Sequence, residues 1–212
     1  LRLMRSKAAR SIEAMLLPIF KEMKNSFETD ASFMLWKDVF RICYPEDNDL
    51  RHILLQHSQS VVIKSLQIVS LHPELNANRD FIINAAMLHD IGIKECDAPG
   101  IHCHGTNPYI QHGILGARIL RAQGVDERYA RVCERHTGTG ITREDIASRH
   151  LPLPLVDLLP ETIEEQIICY ADKFYSKSHP ERTKTIEQAR NSILKFSDEG
   201  LKRFDNWVKM FE

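Results

Sequence analysis

Apolar residues recur at helical spacing along most of this chain. The first 30 residues predict an amphipathic helix, Ser11 to Leu17, that is interrupted or restarted near Pro18. A second apolar set predicts core contacts: Phe33, Met34, Trp36, Val39 and Phe40. The acidic turn Pro45–Asp49 then suits the start of a long helix, from about Leu50 through Leu71, which His72-Pro73 ends.

The rest of the chain continues the helical pattern. Further helices are predicted over 81–88, 109–123 and 126–135. Capping patterns at Thr142 and Thr162 predict the starts of two more, one ending near His150 and one that carries Asp172. Beyond Pro180 the chain is predicted to be helical to its end, with Phe196, Leu201, Phe204, Trp207 and Phe211 as apolar anchors. Lys94–Asn107 is the longest irregular segment, a length typical of a loop that lines or covers a site. No hairpin or β-α-β repeat is predicted, so the fold class is all-α.

Composition limits the function classes. Hydrophobic residues make up 43% and charged residues 27% of the 212 residues, and the formal net charge is −1. A net charge near zero gives no strong electrostatic case for nucleic acid or a membrane surface as a partner. No apolar run approaches the roughly 20 residues of a membrane span, and no secretory signal is expected. Five cysteines without a Cys-x-x-Cys pair indicate reduced thiols in a cytoplasmic protein.

A histidine and an aspartate stand side by side at the end of the apolar run 81–88. They are His89 and Asp90, and Gly92 follows them almost at once. The side chains of adjacent residues on a helix point about 100° apart. His89 and Asp90 can therefore bind the same ion only if it lies between the two directions, near the edge that both side chains face. An imidazole and a carboxylate held in an apolar wall are a plausible first pair of metal ligands.

Other candidate ligands occur at intervals of one helix and one loop: His57, His112, His136 and Asp172. Each can therefore belong to a different helix of a bundle and point towards its centre. Four imidazoles and two carboxylates can hold two divalent ions, with one carboxylate bridging them. Gly113 and Gly116 beside His112 would let that helix approach a neighbour closely.

This series resembles the HD-domain metal-dependent phosphohydrolase superfamily, in its HDIG-type branch. The ordered ligands carry the resemblance, together with the stretches 112–117, 135–142 and 170–173. It covers about residues 50 to 180, and implies an HD-domain helical bundle with an N-terminal helical extension, 1–49, and a C-terminal one, 181–212. The two-metal members, which include enzymes that cleave dinucleoside polyphosphates, are the more similar ones.

The resemblance implies roles for these residues. One ion would be held by His57, His89, Asp90 and Asp172, and the second by His112 and His136, with Asp90 bridging as a catalytic residue. A metal-activated water would cleave a phosphate ester or anhydride, in this case of a nucleotide as small-molecule substrate. Iron or manganese are the expected ions, and nickel, cobalt, zinc or magnesium are also compatible with these ligands.

Candidate phosphate contacts are less well defined. Many family members have a lysine directly after the glycine, whereas this chain has Ile93 there and Lys94 one step later. Lys94 is the catalytic and substrate-binding candidate, with Arg118 and Lys173 as alternatives, and a solvated helix face is the competing interpretation of each. His104 is a candidate substrate contact in the 94–107 loop. A separate zinc site at His102-Cys103-His104 lacks correctly spaced partners.

Two other functions fit the same residues. One is a di-iron oxygenase, because related HD-type scaffolds use mixed-valent iron for oxidative cleavage. The other is a non-catalytic regulatory module that keeps metal only for structure, although no ligand of the series is missing. The remaining histidines near turns, His52, His72, His150 and His179, are expected at the surface.

Overall fold

The computed structural model describes residues 35–212, and α-helices make up nearly all of its regular structure. The helices are α1 (Leu35–Cys43), α2 (Asp49–Leu71), α3 (Arg79–Leu88), α4 (His112–Ala122), α5 (Glu127–Arg135), α6 (Arg143–Ser148), α7 (Ile163–Asp172), α8 (Ile186–Leu194) and α9 (Asp198–Phe211). The all-α prediction is therefore confirmed. The helix predicted at Ser11–Leu17, and Phe33 and Met34, lie outside the described residues.

Most helices begin where a short polar side chain caps them. Thr142 and Thr162 form the two capping boxes that the sequence predicts, and Thr185 forms a third with Gln188. Asn48 and Asn78 accept a hydrogen bond from a backbone N–H in the first turn of α2 and α3. Since such a cap contributes on the order of 1 kcal/mol, the helix starts follow from local sequence.

The long helix α2 lies at the centre of the core. Its buried residues fall on two adjoining stripes, and Leu54, Val61, Val62 and Leu66 are almost fully buried. Helices α3 and α7 pack against it, and α4 packs against α5. Because α2 has apolar neighbours on more than one side, its centre is shielded from water. No helix of the described part is both long and apolar enough to cross a bilayer.

The 93–107 segment is ordered by turns and one small hairpin. Strands β1 (Asp97–Ala98) and β2 (Cys103–His104) pair antiparallel, with Asp97 opposite His104. Single 3₁₀ turns cover Ile93–Glu95, Pro99–Ile101 and, just before α4, Tyr109–Gln111. The expectation of no hairpin was wrong here, because two-residue strands are too short to show a period-two pattern.

The C-terminal segment, predicted to be helical from Pro180 to the end, forms two helices, and residues 181–185 before them are not helical. Ser197 caps α9 and separates it from α8. Phe204, Trp207 and Phe211 are buried as predicted, but Phe196 is 66% exposed, so the prediction of an anchor there was wrong. Phe196 lies in the break between Leu194, where α8 ends, and Asp198, where α9 begins, so the helical register that would have turned it inward is lost.

Helix α9 packs onto α7 and belongs to the same core. The ring of Phe204 lies 5.2 Å from that of Tyr170, whose hydroxyl donates to Glu212 Oε1 at 2.8 Å. Residues 36–212 form one compact unit. A division of the chain at residues 49 and 180 stays a prediction.

Glycines allow α4 to approach its neighbours closely, as the sequence predicts. A Cβ on Gly113 would lie 2.3 Å from Cys133 O, and one on Gly92 would lie 2.3 Å from both Gly116 N and His112 O. The clashing atoms are backbone atoms, which cannot turn away as a side chain can. Gly92 therefore sets the distance between the end of α3 and the start of α4, and Gly113 sets the distance between α4 and α5.

Gly92→Ala should destabilise the protein by at least about 1–3 kcal/mol, because overpacking against fixed backbone forces α4 outward. Urea denaturation measures this loss. Gly100→Ala is the matched control, because a Cβ there meets nothing within 4 Å; equal stability of the two variants would contradict the close approach.

Candidate metal centre

Six side chains from five helices converge at one end of α3. His57 lies in the middle of α2, and His89 and Asp90 follow the last residue of α3. The other three occupy helix ends: His112 begins α4, His136 follows α5, and Asp172 ends α7. The histidines and Asp90 are buried, and the Asp172 side chain is 12% exposed.

The first group joins His57, His89, Asp90 and Asp172. The Nε2 atoms of His57 and His89 lie 3.3 Å apart. Asp90 Oδ2 is 3.1 Å from His57 Nε2 and 2.8 Å from His89 Nε2. Asp172 Oδ1 lies 3.0 Å from His57 Nε2 and 3.6 Å from His89 Nε2. One ligand atom from each residue falls within 4.8 Å of all the others.

The second group joins Asp90, His112 and His136. The Nε2 atoms of the two histidines are 3.0 Å apart. They lie 3.4 Å and 3.3 Å from Asp90 Oδ1, whereas the first group uses Oδ2. Asp90 is thus shared by the two groups, with one carboxylate oxygen for each.

Backbone carbonyls fix the direction of three of the imidazoles. His89 Nδ1 lies 2.7 Å from Ala86 O, His112 Nδ1 2.6 Å from Tyr109 O, and His136 Nδ1 2.8 Å from Cys133 O. A carbonyl only accepts, so each Nδ1 carries the proton and Nε2 is left to bind a cation or a second proton. This is the arrangement by which metal-ligating histidines are usually oriented.

The donor atoms fit divalent cations. Neither oxygen of the fully buried Asp90 has a well-directed hydrogen bond from the described residues, and only Oδ2 has a lysine ammonium beside it, Lys177 Nζ at 2.6 Å. A buried carboxylate needs compensating positive charge, and a cation beside each oxygen would supply it. Imidazole and carboxylate donors suit first-row ions such as iron and manganese.

Burial and carboxylate charge act in opposite directions on the pKa of the buried imidazoles, and their balance differs between His89 and His112. Burial opposes a charge on His89, but Asp90 and Asp172 outweigh it and raise its pKa to about 9. Burial dominates at His112 and lowers its pKa to about 3. Burial alone would raise the pKa of Asp90, yet the charges of His89 and Lys177 hold it well below its ordinary value. A positive charge is therefore more favourable on His89 than on His112.

Two lysines border the centre, and only one of them was predicted. Lys173, the predicted one, has Nζ 2.7 Å from Asp172 Oδ2 and donates to His136 O at 3.0 Å. Lys177 Nζ lies 2.6 Å from Asp90 Oδ2 and 6.0 Å from the ring centre of Tyr109. Lys177 lies on the irregular segment after α7. Because that segment has no helical periodicity, the sequence pattern could not predict that Lys177 would contact Asp90.

The other candidate phosphate contacts lie elsewhere. Lys94 Nζ donates to Cys43 O, the C-terminal carbonyl of α1, at 3.0 Å and lies 5.6 Å from the Tyr44 ring centre. A helix C-terminus attracts a cation, which explains this direction. Arg118 is exposed and pairs with Glu95. His104 is exposed on β2. Within the described residues, Lys94, Arg118 and His104 do not contact the six candidate ligands. Their predicted roles stay predictions.

The remaining histidines lie outside the centre. His52 is exposed and pairs with Asp47, and His150 and His179 are exposed as expected. His72 is only half-buried beside Glu74. The metal-compatible groups found between residues 35 and 212 do not include His102, Cys103 or His104.

Comparison with known proteins identifies the family. The profile of the HD domain matches residues 54–176, more than half of the chain. The chain therefore belongs to the HD domain family, which supports a metal-dependent hydrolase-type fold, and the predicted resemblance is confirmed. No solved structure matches this chain significantly.

Several curated relatives share part of the sequence. Two are called tRNA (cytidine(56)-2'-O)-methyltransferase: one of Picrophilus torridus, 36% identical over 124 residues, and one of Thermoplasma volcanium, 35% identical over 123 residues. Each match covers 58% of this chain and 32% of the relative. An uncharacterized protein of Methanocaldococcus jannaschii is 45% identical over 86 residues, 41% of this chain and 43% of the relative. The chain thus spans about a third of the length of the first two relatives.

Metal content should separate the two groups. After loading with Mn²⁺ and desalting, the unchanged protein is expected to hold about two ions. Asp90→Ala should lose both, because one carboxylate serves both groups, whereas His112→Ala should lose only the second ion. Elemental analysis per chain measures this, with His52→Ala as the control; two retained ions in Asp90→Ala would contradict the shared ligand.

Proposed function

We propose that this chain is a two-metal phosphohydrolase that cleaves a phosphate ester or anhydride of a nucleotide. The observation that supports this most directly is the buried Asp90, shared by two groups of imidazoles. The HD domain membership and the two lysines beside the centre add to it. Iron or manganese are the proposed ions, and a cytoplasmic location stays a prediction.

The proposed ions would supply the Lewis acidity that polarises a phosphoryl group and lowers the pKa of a water molecule. The chain's own part is to hold the ligands in place. Asp90 fixes the spacing of the two groups, and the carbonyls of residues 86, 109 and 133 fix the ring orientations. No side chain is required as a nucleophile.

The balance of charges around the proposed metal centre indicates which kind of ligand it would bind. The two lysine charges, Lys173 and Lys177, equal in number the two carboxylate charges, Asp90 and Asp172. With neutral imidazoles the protein side is close to neutral, so the charge of any bound ions remains to be balanced by an anion. A phosphate group, with its negative oxygens and its affinity for ammonium groups, is the anion that these groups suit.

A phosphate-release assay tests the proposal. Protein loaded separately with Mn²⁺, Fe²⁺, Co²⁺ or Ni²⁺ is incubated with nucleoside mono-, di- and triphosphates and dinucleoside polyphosphates. Release with at least one ion, abolished in Asp90→Ala, is the expected result. The absence of release from every substrate with every ion would contradict a phosphohydrolase.

Lys177→Gln should lower kcat/KM about 10- to 100-fold, the loss expected for one charge-assisted hydrogen bond to phosphate, without loss of metal. Lys94→Gln is the comparison variant, because its Nζ is engaged at Cys43 O, and should change kcat/KM little. Steady-state kinetics together with metal analysis measures both. The reverse order of effects would assign the phosphate contact to Lys94.

A second candidate function is action on a phosphate group of an RNA. The names of the two methyltransferase relatives favour it, although methyl transfer belongs to proteins three times as long as the shared segment. An open groove of about 580 Å³ has His179, Arg182, Lys184 and Lys195 in its lining. Glu181 offsets part of this charge through His179 and Arg182. Salt-dependent retardation of tRNA in a gel, lost in Lys184→Glu, would support this candidate.

The two other functions considered from sequence give different results with the same preparations. Substrate-dependent oxygen consumption by iron-loaded protein, with a redox-active iron pair, would identify a di-iron oxygenase. A non-catalytic module would show no turnover, and Asp90→Ala would then lower only metal content and stability.

A further inference from the structure

A cavity of about 280 Å³ is lined in part by the residues that directly follow two candidate ligands, Thr137 after His136 and Lys173 after Asp172. We call it the loop pocket. Part of the lining is the segment 137–141, which directly follows His136, and Ser192, Ile193 and Phe196 form another part. Lys173 lines the pocket as well, and its Nζ lies 2.7 Å from Asp172 Oδ2. The pocket and the proposed metal centre therefore meet at Lys173.

The walls of the loop pocket are held in place before any ligand binds. Gly138 and Gly140 have φ values of +62° and +87°, which favour glycine. Arg203 on α9 donates to Thr139 O at 3.0 Å and to Gly140 O at 3.1 Å. A preformed pocket loses less free energy to ordering when it binds a ligand.

The lining has the chemistry of a ring-binding site. Ile141, Ile193 and Phe196 give it apolar faces, and most of its lining surface is apolar, although the charged residues Asp145, Arg149 and Lys173 line it as well. Arg149 lies at one edge, donating to Phe196 O at 3.2 Å with its guanidinium 5.8 Å from the Phe196 ring centre. Apolar walls with a few polar groups at the edge match a flat heterocycle that has hydrogen-bonding groups on its rim.

Size limits the occupant to part of a substrate. Pockets that bury a whole drug-sized ligand have volumes of about 300–1,000 Å³, and the loop pocket falls just below this range. It suits one heterocycle with part of its sugar. The charged remainder of such a molecule would then lie towards Lys173 and Lys177.

We propose that the loop pocket binds the base of the nucleotide whose phosphate lies at the metal centre. This inference rests on the proposed function and adds the part that selects the substrate. Ser192, Ile193 and Phe196 lie beyond the segment matched by the family profile, which ends at residue 176. Base selection would therefore come from the C-terminal helices of this chain.

Calorimetric titration with adenosine, guanosine, cytidine and uridine tests the pocket without any phosphate. At least one nucleoside should bind the full chain. Ser192→Phe fills the cavity from α8 and should weaken that binding about 10-fold or more, a change of about 1.4 kcal/mol. Leu194→Phe is the matched control: it adds the same ring to the same helix at an exposed position outside the lining, and should leave affinity unchanged.

Phe196→Ala is a second variant that keeps the test decisive if Ser192→Phe fails to fold. Phe196 is largely exposed, so its truncation should preserve the fold, checked by circular dichroism, while weakening nucleoside binding. Ribose 5-phosphate is the opposite probe, because it has no base, and its binding should be the same in the unchanged protein and every variant.

The outcomes separate the two proposals. If nucleosides bind and these variants weaken that binding, but no nucleotide releases phosphate, the base-binding pocket is supported and the phosphohydrolase is rejected. Phosphate release with no nucleoside binding, or with binding that neither variant reduces, would reject the pocket and keep the enzyme. Binding of octanoate in place of every nucleoside would also overturn the proposal, since it would identify an apolar-chain site.

Discussion

The charge of Asp90 is the constraint on which the rest of this structure depends. Its side chain is fully buried, with imidazole nitrogens near both oxygens and Lys177 beside Oδ2. A carboxylate in such a place is costly unless cations or donors surround it. The surrounding elements meet this need with Nε2 atoms aimed at Asp90 and with space between them that suits divalent ions.

Most of the side chains that surround Asp90 lie at helix ends. Asp90 follows α3, His112 begins α4, His136 follows α5, and Asp172 ends α7, while only His57 lies within a helix. At a helix end, backbone carbonyls are free to accept hydrogen bonds, and those of Ala86 and Cys133 accept from ligand imidazoles. The same carbonyls that a helix leaves unsatisfied thus orient the rings.

The C-terminal helices connect this centre to the rest of the molecule. Helix α9 packs its aromatic residues on α7, which ends in Asp172, and its Arg203 holds the loop that follows His136. A change at α9 would therefore reach both the ligand on α7 and the wall of the loop pocket. This link gives a physical reason why residues beyond the family match would influence what the centre binds.

The sequence by itself determined the helical fold class, most helix limits, the caps at Thr142 and Thr162, and the six candidate ligands. These depend on local pattern: helical periodicity, capping residues and ordered His and Asp positions one helix apart. It did not determine where Lys94 and Lys177 point, the two-residue strands, or the break before Ser197. Those features depend on contacts between residues far apart in the chain, such as Lys177 with Asp90 and Lys94 with Cys43. Only the packed tertiary structure brings such groups together, because an irregular segment has no period from which the direction of a side chain follows.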